Sequence, residues 1–551
     1  MIDSLVNVWT RLDYQYVSLI RCGIATAATL LLTWRLANDS SQDSPKGRWS
    51  DRLLALLGAM AFLAWWNFGL FHFPAYIQVH EHYHYYLGAK YFPELGYTRL
   101  YQCTAVADVE AGLGSQVANR WIRNLATNEL QRGRDIVKNP AECTSHFSPA
   151  RWEMFKHDVA WFRSHRTADE WSIAQFDHGY NGTPVWGIAG TLLAGSQPVT
   201  DRRILALALL DPILIVIMWA FVWWAFGWRV MCVAIIWWGT NYLSRYFWTG
   251  GAFLRTDWLA LALIGVCLVK RGRPGAGGAA LTYATLLRVF PGLIIAGLVL
   301  KAAATMWRER AFRLTPEHKA FAAGSLAAGV VLIGLSFGVV GHGVSGGIDA
   351  WEGFVANSQK HLATPLTNNM GLKTVMSFEP RSRAAVLGSF WIDTPWDTWN
   401  AARRRVFERR QLAYWALLAA FLVALAFAVQ HQDDWVTLVL GAALVPIATE
   451  LTCYYYAILA IFGLLWRVYP STGAMLCGLA AVSSIVPALL ASDDDIYVVL
   501  SALMLLYVIA VIVHVIASMK RDTRYLLRSK TDSEIRRLQI GAKISEAIDN
   551  A

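Results

Sequence analysis

The stretch His80-Glu81-His82-Tyr83-His84-Tyr85-Tyr86 concentrates three imidazoles, a carboxylate and three phenols just after an apolar run. Ionisable groups at a bilayer surface are costly to place unless they are used. The plain alternative is an aromatic interfacial belt with satisfied polar tips. Two chemistries fit. The first is zinc hydrolysis. His80, Glu81 and His84 match H-E-x-x-H, which puts two imidazoles one helical turn apart with a carboxylate between them as general base. That reading needs a third ligand, and Glu110 is the candidate by sequence distance. The second is group transfer to a hydroxyl, in which one carboxylate, Glu81, takes the acceptor proton. A group that departs as an anion calls for fixed cations, preferably Arg. Arg255, Arg288 and Lys373 are the candidates, and each could instead be a cation snorkelling to the interface. Asp257 follows Arg255 by two residues and could pair with it. Asp177 and Asn181, in the turn-forming Asp177-His178-Gly179-Tyr180-Asn181-Gly182, could bind sugar hydroxyls or only make a turn. Glu450, beside Tyr454-Tyr455-Tyr456, could line the same cavity. Asn181-Gly182-Thr183 is also a formal glycosylation sequon.

The elements that must position these residues are membrane spans. Of 551 residues, 56% are hydrophobic and only 16% charged, against about 25% charged in a soluble domain. Many of the 26 Trp cap the apolar runs, as in Trp65-Trp66 and Trp237-Trp238, where the indole ring is apolar and its N–H stays wet. Spans are expected at 17–36, 53–72, 203–226, 229–248, 253–270, 277–300, 319–341, 411–430, 435–450, 453–467, 471–491 and 497–518, with 435–450 and 453–467 short enough to be tilted or buried by neighbours. The net charge of +10 is explained by cytoplasmic anchors rather than by nucleic acid: Lys46, Arg48 and Arg52; Lys270, Arg271 and Arg273; Arg308, Arg310 and Arg313; Lys520, Arg521 and Arg524. Asp493, Asp494 and Asp495 then fall outside. Basic clusters flank 277–300 at both ends, and Pro291-Gly292 breaks its middle. It is therefore expected to be a re-entrant hairpin of two half-helices, tolerated only where protein or a cavity shields it.

The expected organisation is 1–72 with two spans, a large extracytoplasmic loop 73–202, a core 203–341, a second extracytoplasmic loop 342–410, spans over 411–518, and a cytoplasmic tail 519–551. Helical stretches are expected at 105–137 and 150–165. Cys103 and Cys143 share one loop and could pair if it is extracytoplasmic; five further Cys lie in or beside apolar runs.

The run from Glu81 through Tyr85, Gly88, Ala89 and Gly96 to Leu100-Tyr101 resembles the first outer loop of the multispanning GT-C glycosyltransferases, most of all the bacterial polyprenyl-phosphate-mannose-dependent mannosyltransferases. A second match runs from Gly250-Gly251 through Arg255 and Asp257-Trp258 to Lys270-Arg271, Gly275, Gly277-Gly278 and Arg288-Val289-Phe290-Pro291. The loop bearing Asn368-Asn369 is similar to an Asn-bearing loop of that family. Three departures stand: Glu81 occupies a position where Asp is commoner, Arg288 one where Lys is usual, and the insertion 102–202 is longer than expected. The resemblance implies an all-α polytopic GT-C fold of about 11–13 spans including the hairpin. It implies Glu81 as catalytic base; Arg255, Arg288 and Lys373 on the donor phosphate; and His80, His82, His84, Tyr85, Asp177, Asn181, Asp257, Asn368 and Asn369 around the substrates. It implies a polyprenyl-phosphate sugar (mannose, arabinose or another) as donor, a glycan or lipid acceptor, an inner or plasma membrane location, and no required metal. Zinc enters only with the protease reading. A transporter or flippase for a lipid-linked glycan is the non-enzymatic alternative, with the same cations lining a path.

Overall fold

The computed structural model describes residues 14–38, 45–311, 313–387 and 397–519. Helices dominate it. The only sheets among the described residues are two short antiparallel ladders, Trp121–Arg123 with Leu130–Arg132 and Asn369–Met370 with Leu451–Thr452. Among the described residues, six helices are long and apolar enough to cross a bilayer: Tyr14–Asn38, Asp201–Phe226, Pro316–Val339, Asp397–Val429, Pro470–Leu489 and Asp493–Met519. Only 11% of the apolar window of Pro316–Val339 is buried inside the protein. Leu326, Val330 and Val331 face outward. An apolar surface of that extent needs lipid rather than water. The chain is a multi-pass, all-helical membrane protein.

Among the described residues, several of the expected spans are shorter than a full crossing. The spans expected at 229–248 and 253–270 are the helices Trp228–Thr240 and Asp257–Lys270, of 13 and 14 residues. Each rises only about 20 Å. The segment 435–450 breaks into Asp434–Gly441 and Leu444–Ala448, and Cys453–Arg467 winds as a 3₁₀ helix. These short pieces are the packed centre of the bundle, where Ile458 through Phe462 are fully buried. A helix surrounded by protein has no need to match the thickness of hydrocarbon.

Charge marks the two ends. At one end Asp51 joins Arg35 and Arg229, Arg271 stacks on Trp224 and Lys270 on Trp435, and Asp434 holds Lys301 and His318. At the other end lie both large loop regions. Asn128 donates to Thr364, His178 packs on His361, and Asn357 donates to the Tyr180 carbonyl. The expected acidic turn is there as well, with Asp495 on Arg383 and Asp494 accepting from Trp399.

Within this frame, residues 274–309 run out and back. Pro274–Arg288 leaves the basic end and Gly292–Glu309 returns to it, because Lys301 reaches the same Asp434 as His318. The halves diverge. The first packs through Gly277 and Gly278 against Gly265 and Phe321, the second through Gly297 against Thr437. A Cβ at Gly278 or Gly297 would collide with a neighbouring carbonyl, which is how small residues let membrane helices touch. The tip touches the loop region, where Thr183 donates to the Leu286 carbonyl.

The loop 73–202 is a folded cap. The expected helix 105–137 is not continuous. Leu100–Asp108 passes through a π turn to Gly114–Asn119 and then into the β hairpin. Pro149–Ser164 forms as expected, capped by Ser148. Cys103 and Cys143 are disulfide-bonded. Residues 520–551 of the expected tail, with Lys520, Arg521 and Arg524, lie outside the described residues.

Candidate functional site

The helix Val79–Lys90 carries the site, and its 100° turn per residue sorts the side chains into faces. Glu81 and Tyr85, four residues apart, share one face. His80 and His84 share the next. His82 points elsewhere: it is fully buried, its Nδ1 3.1 Å from the Gln78 carbonyl, near the Phe253 ring. Burial pushes its imidazole down to about 4. Its ring lies 6.4 Å from that of Phe253, whereas the rings of His80 and His84 lie 4.6 Å apart.

On the first face, Glu81 Oε2 lies 2.8 Å from Arg255 Nε. The Arg255 side chain is 3% exposed and Glu81 16%, so the carboxylate is the member that reaches open space. The contact is a charge pair without an aligned hydrogen bond, since neither atom has a hydrogen-bond partner among the described residues. Arg255 also donates to the Tyr454 hydroxyl at 3.2 Å. Its guanidinium sits 4.3 Å from the centre of the Tyr85 ring, and that of Arg288 sits 5.5 Å from the same ring. Tyr85 in turn donates to Asn181. Arg288 is nine-tenths buried, yet its Nε and Nη2 have no partner among the described residues; Arg255 Nη1 is likewise unpaired. Buried unpaired donors of this kind are rare and costly. Asp257 is buried and accepts from its own Trp258 amide, opening its helix.

Backbone joints hold both arginines. Leu254, with φ 49°, precedes Arg255, and Val289, with φ 58°, follows Arg288. Left-handed backbone is unfavourable for such residues, most of all for a β-branched one, and persists where surrounding structure imposes it. Asp211 is part of that structure: its carboxylate accepts from the amides of Arg255 and Thr256. Sequence reasoning missed Asp211. The signal was an acidic residue, followed by Pro212, inside the strongly apolar run 204–226.

The second face is a separate polar cluster. His80 Nε2 lies 2.9 Å from Asp177 Oδ2, and the ligand atoms of His80, His84 and Asp177 all fall within 4.8 Å of one another. Asp177 therefore stands where the zinc reading placed Glu110. Glu110 instead bonds Trp152 and Lys156. The chemistry around the trio is poor for a metal. Arg166 points its Nη1 at His80 Nδ1, 3.3 Å away. A guanidinium can only donate, so the His80 proton belongs on Nε2, facing Asp177. A metal-bound Nε2 needs the proton on Nδ1, with an acceptor beyond it. His84 Nε2 is taken by the Tyr101 hydroxyl at 2.6 Å. Burial pushes His84 down to about 3. Burial opposes the Asp177 carboxylate, but the His80 hydrogen bond and the imidazoles around it hold it well below the usual range.

Lys373 lies elsewhere. Its Nζ is 3.1 Å from Glu450 Oε2, and Glu450 also pairs with Arg403 and accepts from Thr374. Burial would raise the Glu450 carboxyl; Arg403 and Lys373 hold it low. Asn368 and Asn369 belong to this second centre: Asn369 pairs with Thr452, and the Asn368 carbonyl accepts from Cys453. Of the expected donor cations, the structure unites Arg255 and Arg288 and separates Lys373. An open polar cavity of about 420 Å³ lies farther out in the cap, lined by residues including Arg99, Gln102, Arg123 and Glu142.

Fold and site thus define a helical multi-pass membrane protein with a carboxylate and two arginines gathered under a folded cap. No family model matches the chain, and neither a curated protein nor a solved structure does.

Proposed function

We propose that this protein is a membrane glycosyltransferase that moves a sugar from a polyprenyl-phosphate donor to a hydroxyl acceptor on the capped, extracytoplasmic side, with inversion. One observation carries the reading: Glu81 and the donor-rich Arg255 and Arg288 converge on Tyr85, with guanidinium N–H groups left unpaired in a buried site. Such a set of donors suits an oxyanion. A phosphate supplies several acceptor oxygens and matches the fork of Arg. The resemblance of the Glu81 and Arg288 segments to GT-C enzymes points the same way. In the reaction Glu81 removes the acceptor proton, the oxygen attacks the anomeric carbon from the face opposite the phosphate, and the sugar–phosphate bond breaks. Arg288 and Arg255 neutralise the charge that grows on the departing prenyl phosphate. The apolar prenyl chain reaches the site from lipid beside the 288–291 tip. Tyr85 and Asn181 border the sugar, and the cap selects the acceptor. Lys373 is assigned with Glu450 rather than to the donor.

The trio His80, His84 and Asp177 favours a zinc hydrolase by proximity alone. Arg166 on His80 and the engagement of Glu81 by Arg255 weigh against it. The test is transfer from a panel of radiolabelled polyprenyl-phosphate sugars by purified wild type and Glu81→Gln, with and without chelator. Chelator-insensitive transfer abolished in Glu81→Gln is expected. No transfer from any donor, with one tightly held zinc lost in His80→Ala, would overturn the transferase and favour the hydrolase.

A further inference from the structure

We infer that the Glu81–Arg255 pair is a latch that the donor phosphate opens, so that the base becomes active only after the donor is bound. The inference rests on the transferase reading. A carboxylate oxygen held 2.8 Å from a guanidinium is covered on that side by the cation, so an acceptor hydroxyl that needs this oxygen cannot reach it until Arg255 moves. With Arg255 on Glu81, an acceptor hydroxyl arriving alone meets a masked base. So does water, which would otherwise hydrolyse the donor.

Three features make the pair exchangeable. It lacks an aligned hydrogen bond, so a competitor need not break one. Arg255 already presents an unpaired Nη1, and Arg288 presents Nε and Nη2; a phosphate engaging these competes for Arg255 directly. The Arg255 backbone is anchored independently of its guanidinium, by Asp211 on the Arg255 and Thr256 amides, so only the side chain has to swing. Arg288 makes no comparable ion pair among the described residues and serves as the fixed half of the clamp.

Charge gives the exchange a direction. A polyprenyl-phosphate sugar is a phosphodiester with one negative charge. The departing prenyl phosphate is a monoester that carries up to two. Arg255 therefore binds the phosphate more tightly as the sugar–phosphate bond breaks, and releases Glu81 most fully when the proton must move. After product release Arg255 returns to Glu81.

The test measures binding of farnesyl phosphate to the purified protein in zwitterionic nanodiscs, with farnesol as the control lacking phosphate. In wild type the phosphate competes with Glu81. In Glu81→Gln it does not, so affinity is expected to rise about tenfold or more, although transfer is lost. Tyr454→Phe removes the other anchor of Arg255 without touching a charge. A smaller rise in affinity is expected there, which keeps the test decisive if Glu81→Gln folds poorly. Equal or weaker binding in both variants, with binding lost in Arg288→Gln, would overturn the latch and leave the transferase reading intact. Absence of phosphate-dependent binding in wild type and every variant would overturn both. Displacement of farnesyl phosphate by nanodiscs rich in phosphatidylglycerol would mark a lipid-headgroup site and also overturn the latch.

Discussion

The helix that carries Glu81 ends on an ion pair that tests whether the cap is rigid. Lys90 Nζ lies 2.6 Å from Asp158 Oδ2, and both side chains are completely buried. Asp158 also accepts from the Tyr91 hydroxyl at 2.9 Å and from the Val199 amide at 2.8 Å. It thus ties Val79–Lys90 to Pro149–Ser164 and to the start of the next span. Asp158→Asn keeps the shape, removes the charge, and turns an amide donor toward groups that are themselves donors. Breaking a buried pair from one side costs about 3–5 kcal/mol, because the remaining charge stays buried. At 1.4 kcal/mol per factor of ten, local opening should rise by about 150-fold to several thousand-fold. Hydrogen exchange of peptides covering 79–90, read by mass spectrometry, reports it. The double variant Lys90→Met with Asp158→Asn removes the stranded cation. It should cost only about 1–2 kcal/mol, the usual range for lost neutral hydrogen bonds, so the double variant should be about 1–4 kcal/mol more stable than Asp158→Asn alone. A single variant costing under about 1 kcal/mol, or a double variant as unstable as the single, would refute the assignment of Lys90–Asp158 as the clamp.

Arg288→Gln should lower kcat/KM for the polyprenyl-phosphate donor by about 10- to 150-fold, the worth of one charge-assisted hydrogen-bond set at about 1.5–3 kcal/mol; an unchanged kcat/KM would remove Arg288 from the donor site. His82, His84, His178 and His361 are held neutral by burial, at about 4, 3, 3 and 4. Their folded values lie below the unfolded value near 6.5, so the unfolded cap binds more protons in acid. Stability is then complete above about pH 6.5 and falls as pH drops toward these folded values, by up to about 1.4 kcal/mol per pH unit for each site; cap melting measured from pH 7 to 5 should decline, and a flat or rising profile would contradict it. Reduction of Cys103–Cys143, which spans 40 residues, should destabilise the cap by about 4 kcal/mol on chain entropy, seen as protease cleavage within 103–143 under reductant only.

Much of this was legible in the sequence because membranes penalise misplaced charge. Glu81, Arg255 and Arg288 stood out as ionisable groups beside apolar runs, and the out-and-back path of 274–309 followed from basic clusters at both ends with Pro291 between them. What stayed hidden depends on packing between distant segments. His80 and Asp177 are separated by almost a hundred residues, and nothing local announces that they meet. Lys373 carries the same charge as Arg288; only the approach of Glu450 assigns it elsewhere. The cap helix expected over 105–137 failed at Trp121-Ile122-Arg123, whose β-prone residues pair across a turn at Asn128, where φ is 66°. The short central helices were read as spans because apolar composition reports burial and does not distinguish lipid from protein.

The site divides labour between a rigid helix and a loop. Glu81 projects from a regular helix clamped by Lys90–Asp158 and packed beneath a disulfide-bonded cap. The two arginines sit at helix ends: Arg255 after a left-handed Leu254, just before the helix Asp257–Lys270 begins, and Arg288 where its helix stops, before a left-handed Val289. A base must hold its position relative to the acceptor to within fractions of an ångström. Arg255, the cation that follows the moving phosphate, gains from a long side chain projecting from a loop, while Arg288 stays fixed. Had both partners of the Glu81–Arg255 contact been placed on one helix, the pair would be a permanent structural bridge. Placing the carboxylate on the firm element and the guanidinium on the loop lets substrate charge, rather than thermal fluctuation of the base, decide when Glu81 is exposed.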